Sequence, residues 1–390
     1  METKLQKTKN WYNAIGTVYE KALTKEDCVV KLWENGKPTG EKKNAECIKG
    51  RVTIRVESGP LTFPVYFSSI GLDGKEAKTW KMAEAMYMNW LPEVFDRKKT
   101  DDPAVKKFLR EKKEEAEANG VGFNVDDVVI EPTLVSISGS VEANDYVSPT
   151  TGKISSGLRW RVSRANTRVS PDATHGMTLT ATCFINGIRH EIKRGTDDEE
   201  TGRLEVKLYG ANNKGECFPI DMIVDEELAD EFEETYEVGQ TVEFDIDIVN
   251  HHYGDNGAKK RAFGHKAQVN TSSGFTRVEY VLAGADEAIE EPEELTYIDD
   301  DGKECETKTD WINPKTMKMA IKARAVKLEQ MEKDGGATKS TSKSAGSFAD
   351  RKAEAKKKLG NKKKVVEMDD DDDDFNDFND DDNTSAEEDW

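Results

Sequence analysis

The stretch LRWRVSRANTRV sets Arg159, Arg161, Arg164 and Arg168 around Trp160, with no acid between Leu158 and Val169. Guanidinium groups neutralise phosphates, and an aromatic face stacks on a base for ~1–3 kcal/mol. These residue types together point to single-stranded nucleic acid. The blander alternative is that Trp160 belongs to the core and the arginines pair with surface carboxylates. A second patch, HHYGDNGAKKRAFGHK, offers Lys259, Lys260, Arg261 and Phe263 beyond the tip of a hairpin. His251 and His252 at its start suit a metal poorly, because adjacent strand residues point to opposite faces. No G-x-S-x-G, H-E-x-x-H or G-x-G-x-x-G occurs, and DGGATKST has phosphate-loop letters but no strand before it. The chain reads as a non-enzyme, with no catalytic residue, no metal site and no cofactor.

These residues need a scaffold, and a degenerate repeat supplies one. GRVTIRVESGPLTFPVYFSSI (50–70) and GRLEVKLYGANNKGECFPIDMIV (202–224) each alternate apolar and polar residues, turn at a glycine, and resume at Phe-Pro. Period-two alternation marks half-buried strands. Val52, Ile54 and Val56 face in, as do Leu204, Val206 and Leu208. Arg51 and Arg55, then Arg203, Lys207 and Tyr209, face out and join the candidate nucleic-acid contacts. One strand precedes each hairpin; a helix and two more strands come after it. Strand, hairpin, helix, two strands is the order of an oligonucleotide-binding (OB) barrel, and the outward face of such a barrel takes oligonucleotides. The expected fold is mainly β: two tandem OB-like barrels (1–157 and 158–290), an irregular stretch and basic helix (291–332), a Lys/Ser/Gly-rich flexible linker (333–366) and a disordered acidic tail (367–390). Another duplicated small barrel or sandwich is the competing fold. VEFDIDIV puts Glu243, Asp245 and Asp247 outward, where they would repel phosphate, so either that part of the second barrel is not the binding face or the second barrel is not a binder.

Charge is unevenly spread. The formal charge is −20 over 390 residues, with 36% apolar and 34% charged residues. Segment 367–390 holds 14 acids and no bases, segment 333–366 is +8, and 1–332 is −14. An acidic body argues against coating nucleic acid with the whole surface and leaves room for a local basic groove. The five cysteines (28, 47, 183, 217, 305) are scattered without a C-x-x-C, so neither structural zinc nor a redox pair is indicated. A reducing compartment fits. No apolar run approaches a signal peptide or the ~18 residues of a membrane helix. The expected location is the cytoplasm, that of the host cell if the protein is phage-encoded.

The last 22 residues, DDDDDDFNDFNDDDNTSAEEDW, carry 13 acids, with Phe375 and Phe378 among them and Trp390 at the end. Solubility alone has no use for those rings. Barrels with a basic-aromatic groove, a lysine-rich linker and an acidic tail ending in an aromatic resemble the single-stranded DNA-binding proteins of bacteria and their phages. That resemblance implies a protein that coats single-stranded DNA in replication, recombination and repair. It implies that Phe375, Phe378 and Trp390 recruit a polymerase, helicase or primase, and that the tail competes with DNA for the groove. Here the chain ends in Trp390 where that family often has Phe. No membrane partner is expected, and a homo-oligomer is left open. The alternatives from other classes are an acidic-tailed binder of basic proteins and a non-catalytic assembly subunit of a replication or virion complex.

Overall fold

Apolar and polar residues alternate through most of the chain, and strands dominate accordingly. The computed structural model describes residues 5–34, 37–70, 75–96, 100–148, 152–193, 196, 199–212, 215–253, 275–293, 296–298, 304–306 and 309–341. The elements in the first part are β1 (Asn10–Glu34), β2 (Lys37–Val56), β3 (Gly59–Ser68), α1 (Lys75–Asn89), α2 (Pro103–Ala118), β4 (Leu134–Val147) and β5 (Ile154–Asn166). Then come β6 (Met177–Ile192), β7 (Glu200–Ala211), β8 (Cys217–Val224), α3 (Glu226–Thr235), β9 (Thr241–Tyr253) and β10 (Phe275–Ala285). A short pair, β11 (Thr296–Ile298) and β12 (Glu304–Glu306), precedes α4 (Pro314–Thr341). No described helix is long and apolar enough to cross a membrane.

The second half closes. Its strands pair in the ring β6-β7-β8-β10-β9 and back to β6, with α3 between the third and fourth. All pairings in the ring are antiparallel except β8 with β10, where Met222 faces Tyr280 and Ile223 faces Val281. This is a five-stranded barrel with the order and helix position of an OB fold. The first half is not the second closed barrel that the repeat led us to expect. Its strands run in the order β3-β2-β1-β4-β5, and no ladder joins β3 to β5 among the described residues. Helix α1 packs on both strands flanking that seam. The Ala165 amide of β5 donates to the Met82 sulfur of α1 at 3.0 Å rather than to a strand.

The two halves share a sheet. The start of β1 pairs antiparallel with the start of β6, from Asn10 with Ala181 to Ala14 with Met177. One core cluster takes Val52, Ile54, Phe63, Trp80 and Met86 from the first half and Leu204, Val206, Leu208, Phe218 and Phe244 from the second. Residues Met1–Gly336 form one compact unit. Strand β5 runs unbroken through residues 157 and 158 and pairs with β4 on both sides of them. The sequence suggested no cysteine pair, yet Cys28 and Cys47 are joined by a disulfide, with Cα atoms 5.9 Å apart. An antiparallel hairpin makes neighbours of residues 19 apart, which spacing rules for short motifs do not see. Helix α4 starts as expected, with Pro314 at its first position and the Asn313 side chain accepting from the Lys315 and Thr316 amides. It continues to Thr341, into the stretch read as linker, because Gly335 and Gly336 do not end it.

A buried lysine fixes the helical insertion onto the first half. The Lys21 side chain is 1% exposed and forms an ion pair with Asp102 at 3.0 Å. Its ammonium also donates to the carbonyls of Met86 (3.3 Å), Tyr87 (2.9 Å) and Trp90 (2.8 Å) at the end of α1. Asp102 in turn caps α2, accepting from the Ala104 and Val105 amides at 2.9 and 3.2 Å. Burial lowers the Lys21 pKa and Asp102 works against that fall. Removing one partner of such a buried pair leaves a charge and several carbonyls unsatisfied. Lys21→Ala is therefore expected to cost ~3–5 kcal/mol in urea unfolding. A loss below ~1 kcal/mol, the range of a surface pair, would show that the ammonium is not a structural tie.

Candidate nucleic-acid interface

Strand β5 is built to present arginines. Leu158, Trp160 and Val162 alternate with Arg159 and Arg161, and pairing with β4 sets Trp160 against Val141 and Arg161 against Ser140. Plain alternation would then turn Arg164 inward. The register shifts at Gly139, so that Val162 faces Gly139, Arg164 faces Ser138, and Ser163 is the extra residue of a bulge. A bulge re-aims the side chains beyond it. Arg159, Arg161 and Arg164 are consequently all exposed along one face, with Arg168 exposed just beyond the strand. Arg161 meets Glu142 at 3.1 Å, an exposed pair that contributes little. Among the described residues no carboxylate pairs with Arg159, Arg164 or Arg168.

The aromatic partner of this row is not Trp160. Its ring sits edge-on to Tyr12 at 5.3 Å and tilted against Tyr280 at 6.3 Å, half-buried on the core. The exposed ring is Trp11 on β1, 38% accessible, with the Arg164 guanidinium 5.4 Å from its centroid. Sequence reasoning missed it, although the signal was there: Tyr12, Ala14 and Val18 are buried on β1, and Trp11 lies on the alternate face.

The other sequence candidates scatter. Arg51 is exposed on β2. Arg55 is held by Glu93 through two 3.0 Å hydrogen bonds and lies over the Tyr19 ring at 4.4 Å. Arg203 is 18% exposed and enclosed by Glu279 (3.0 Å), Asp225 (3.2 Å) and Glu191 (3.6 Å). Burial acts to lower its pKa, but those carboxylates outweigh it and the net shift is upward. Tyr209 is covered: it is buried with Leu5, Phe184, Ile312 and Met317 in a second small core, and burial raises its hydroxyl pKa. Lys207 is exposed and lines a groove of about 370 Å³ on the second barrel. Arg189 and Arg277 join it there, opposite Glu205, Asp221 and Glu279, so the formal charges of the groove cancel. Tyr280 also lines it, its hydroxyl pushed by burial up to about 12. Lys259, Lys260, Arg261, Phe263, Phe375, Phe378 and Trp390 lie outside the described residues.

The outward acids of β9 are where the alternation placed them. Thr178 donates to Asp247 at 2.7 Å and Thr180 to Asp245 at 2.6 Å, while Lys9 pairs with Glu243. A cross-strand row runs Arg164, Ser138, Asn13, Thr178, Asp247 over five strands. One polar sheet face thus has a cationic end on β5 and an acidic end on β9.

The model of the YorF family matches residues 123–318, half of the chain. No curated protein matches. Among solved structures the chain is similar to the wild-type single-stranded DNA binding protein from Thermus aquaticus, at 12% identity over 74% of this chain and 97% of that one, with a TM-score of 0.33. A deletion mutant of the same protein aligns at 12% identity over 74% and 99%, with a TM-score of 0.32.

The inward Trp160 has a measurable consequence. Trp160→Ala is expected to lower stability by ~3 kcal/mol, the scale of a core aromatic truncation, and to leave the affinity of the folded protein for a single-stranded oligonucleotide within about twofold, since less than ~0.4 kcal/mol is then lost. Urea unfolding beside an oligonucleotide titration separates the two. Full stability with a tenfold weaker complex would return Trp160 to the binding face.

Proposed function

The chain belongs to the YorF family, and we propose that it binds single-stranded DNA along the outward face of β5. The observation that carries this reading is the arginine row. The Ser163 bulge keeps Arg159, Arg161 and Arg164 on one exposed face, beside the exposed Trp11 ring, and only Arg161 is paired with a described carboxylate. Phosphates meet guanidinium groups that cost little to free, and a base has a ring to stack on. Arg168 extends the row, and Arg51 and Lys207 are exposed cations on the two hairpins. Arg55 and Arg203 have their charges spent on carboxylates and take no part.

In this reading the protein coats single strands during replication, recombination and repair. Phe375, Phe378 and Trp390, set among 13 acids, dock partner enzymes of that machinery. The acids steer toward basic pockets, and the rings supply apolar contact. The same acids compete with DNA for the arginine row, and salt weakens that competition. The acidic β9 face and the −14 charge of residues 1–332 favour a second reading, a binder of basic protein. Tryptophan fluorescence discriminates, because stacking of an oligonucleotide on Trp11 quenches it and a basic protein on β9 does not.

A salt titration of binding to fluorescent oligo-dT tests the proposal, using the whole chain and residues 1–366. The shorter form is expected to bind more tightly, most of all at low salt. Arg159→Ala with Arg164→Ala should flatten the log–log salt slope by ~1.4, at ~0.7 per phosphate contact on a single strand. Trp11→Ala should weaken binding by ~1–3 kcal/mol. If neither form binds at low salt, the shared sheet is a protein-interaction module and the proposal fails.

A further inference from the structure

We propose that Cys28 and Cys47 form a thiol switch that locks the β1–β2 arm. Beyond Lys25 the hairpin leaves the core: from Glu26 to Ala45 no described side chain is buried, and Val29 is 62% exposed. A two-stranded ribbon without a packed face is marginal in water. This one is further weakened by its register. Asp27 lies directly opposite Glu46 and Lys31 directly opposite Lys42, and like charges in facing positions destabilise a ladder. Glu46 finds relief in Lys25 at 3.3 Å; among the described residues no carboxylate pairs with Lys31 or Lys42. At the root, Gly50 has φ +136° and stands where a Cβ would meet the Ala22 carbonyl oxygen at 2.0 Å, so the arm joins the packed sheet at a point only glycine fits.

The disulfide sits at that boundary. Cys47 is the first fully buried residue of β2 on the way in from the arm, while Cys28 is half-exposed. The bond therefore fastens the loose ribbon to the packed sheet, and its two sulfurs differ in access. An external thiolate attacks Cys28 Sγ, the S–S bond breaks, and its electron pair leaves on Cys47 Sγ. A second thiol resolves the mixed disulfide left on Cys28. In the reverse direction the two thiols pass two electrons and two protons to a small-molecule disulfide such as oxidised glutathione, which departs as two thiols. The Tyr66 hydroxyl lies 3.6 Å from Cys47 Sγ, placed to donate to it as it becomes a thiolate, and a better-stabilised leaving thiolate departs faster. Disulfides in reducing compartments are mostly transient and redox-sensing, which suits a bond that stiffens one appendage and leaves the barrel to its own core. When the bond forms, Lys31, Lys42 and Lys43 stand on a rigid ribbon; when it breaks, they do not.

Hydrogen exchange on the full chain, oxidised with glutathione disulfide or reduced with dithiothreitol, tests this without any nucleic acid. Alkylation under denaturing conditions should count two fewer free thiols in the oxidised form. Amides of residues 29–45 should exchange at least tenfold faster after reduction, with β6 to β9 unchanged. Cys28→Ser should exchange like the reduced form under both conditions. Tyr66→Phe should slow reduction by dithiothreitol several-fold. Equal exchange in the two forms, no change in thiol count, or a reductant response that survives in Cys28→Ser would each overturn the switch, and an unchanged reduction rate in Tyr66→Phe would overturn the leaving-group role.

Discussion

Everything in this fold hangs on the handover along one edge of β1. That edge pairs with β6 from Asn10 to Ala14 and with β2 from Thr17 onward. Between them, Ile15 donates its amide to the Gly176 carbonyl at 2.8 Å, the last tie to the second half. Gly16 comes next, and a Cβ there would sit 2.3 Å from the Arg55 carbonyl oxygen. Only a residue without a side chain lets β2 arrive as β6 departs. The opposite edge of β1 carries β4 from Tyr12 to Thr17. A strand has two edges, and β1 divides them among three partners. The consequence is that two five-stranded arrays are sewn into one sheet around one shared main core, rather than hung as beads on a linker.

That continuity decides the electrostatics of the outer face. With separate barrels, the arginines of β5 and the acids of β9 would stand in no fixed relation. In a shared sheet they are four strand spacings apart, ~19 Å at ~4.8 Å per strand. The Debye length at physiological salt is ~8 Å, so the acids lie beyond two screening lengths. At that distance they leave the field at the arginine row cationic. The acidic net charge of the body and a local cationic site are compatible for this reason.

The parts legible in the sequence were those set by neighbours in sequence. The inward and outward residues of β2 and β7, the Asn313–Pro314 helix start and the OB order of the second half come from local periodicity and capping. Helix α2 carries the same kind of signal, Asp102 as its cap before Pro103. What stayed hidden depends on chain segments far apart. Arg203 reads as an outward cation until Glu191, Asp225 and Glu279 arrive from three other parts of the fold. Tyr209 points outward, as alternation requires, but Leu5 and the Ile312–Met317 turn cover it. Trp11 on β1 and Trp160 on β5 are the same residue type in one sheet, and only the side on which Tyr12 and Tyr280 pack separates the exposed ring from the core residue.

Helix α4 adds the last constraint. Arg324 reaches Asp145 at 2.5 Å and Ser156 at 2.7 Å, a pair facing each other across β4 and β5, and Lys327 reaches Glu216 beside β8 at 2.8 Å. Below them Met317 fills the second core, and Thr241 exchanges hydrogen bonds with the Ile312 backbone at 3.0 and 3.4 Å. The helix from which the C-terminal segment departs is therefore fastened to the same hairpin that displays Arg159, Arg161 and Arg164. Under the proposed competition the acidic segment would act as a tethered ligand, at an effective concentration that its tether sets and that dilution of the protein does not change. The contest between tail and DNA that we propose is thus governed by salt and by the supply of DNA.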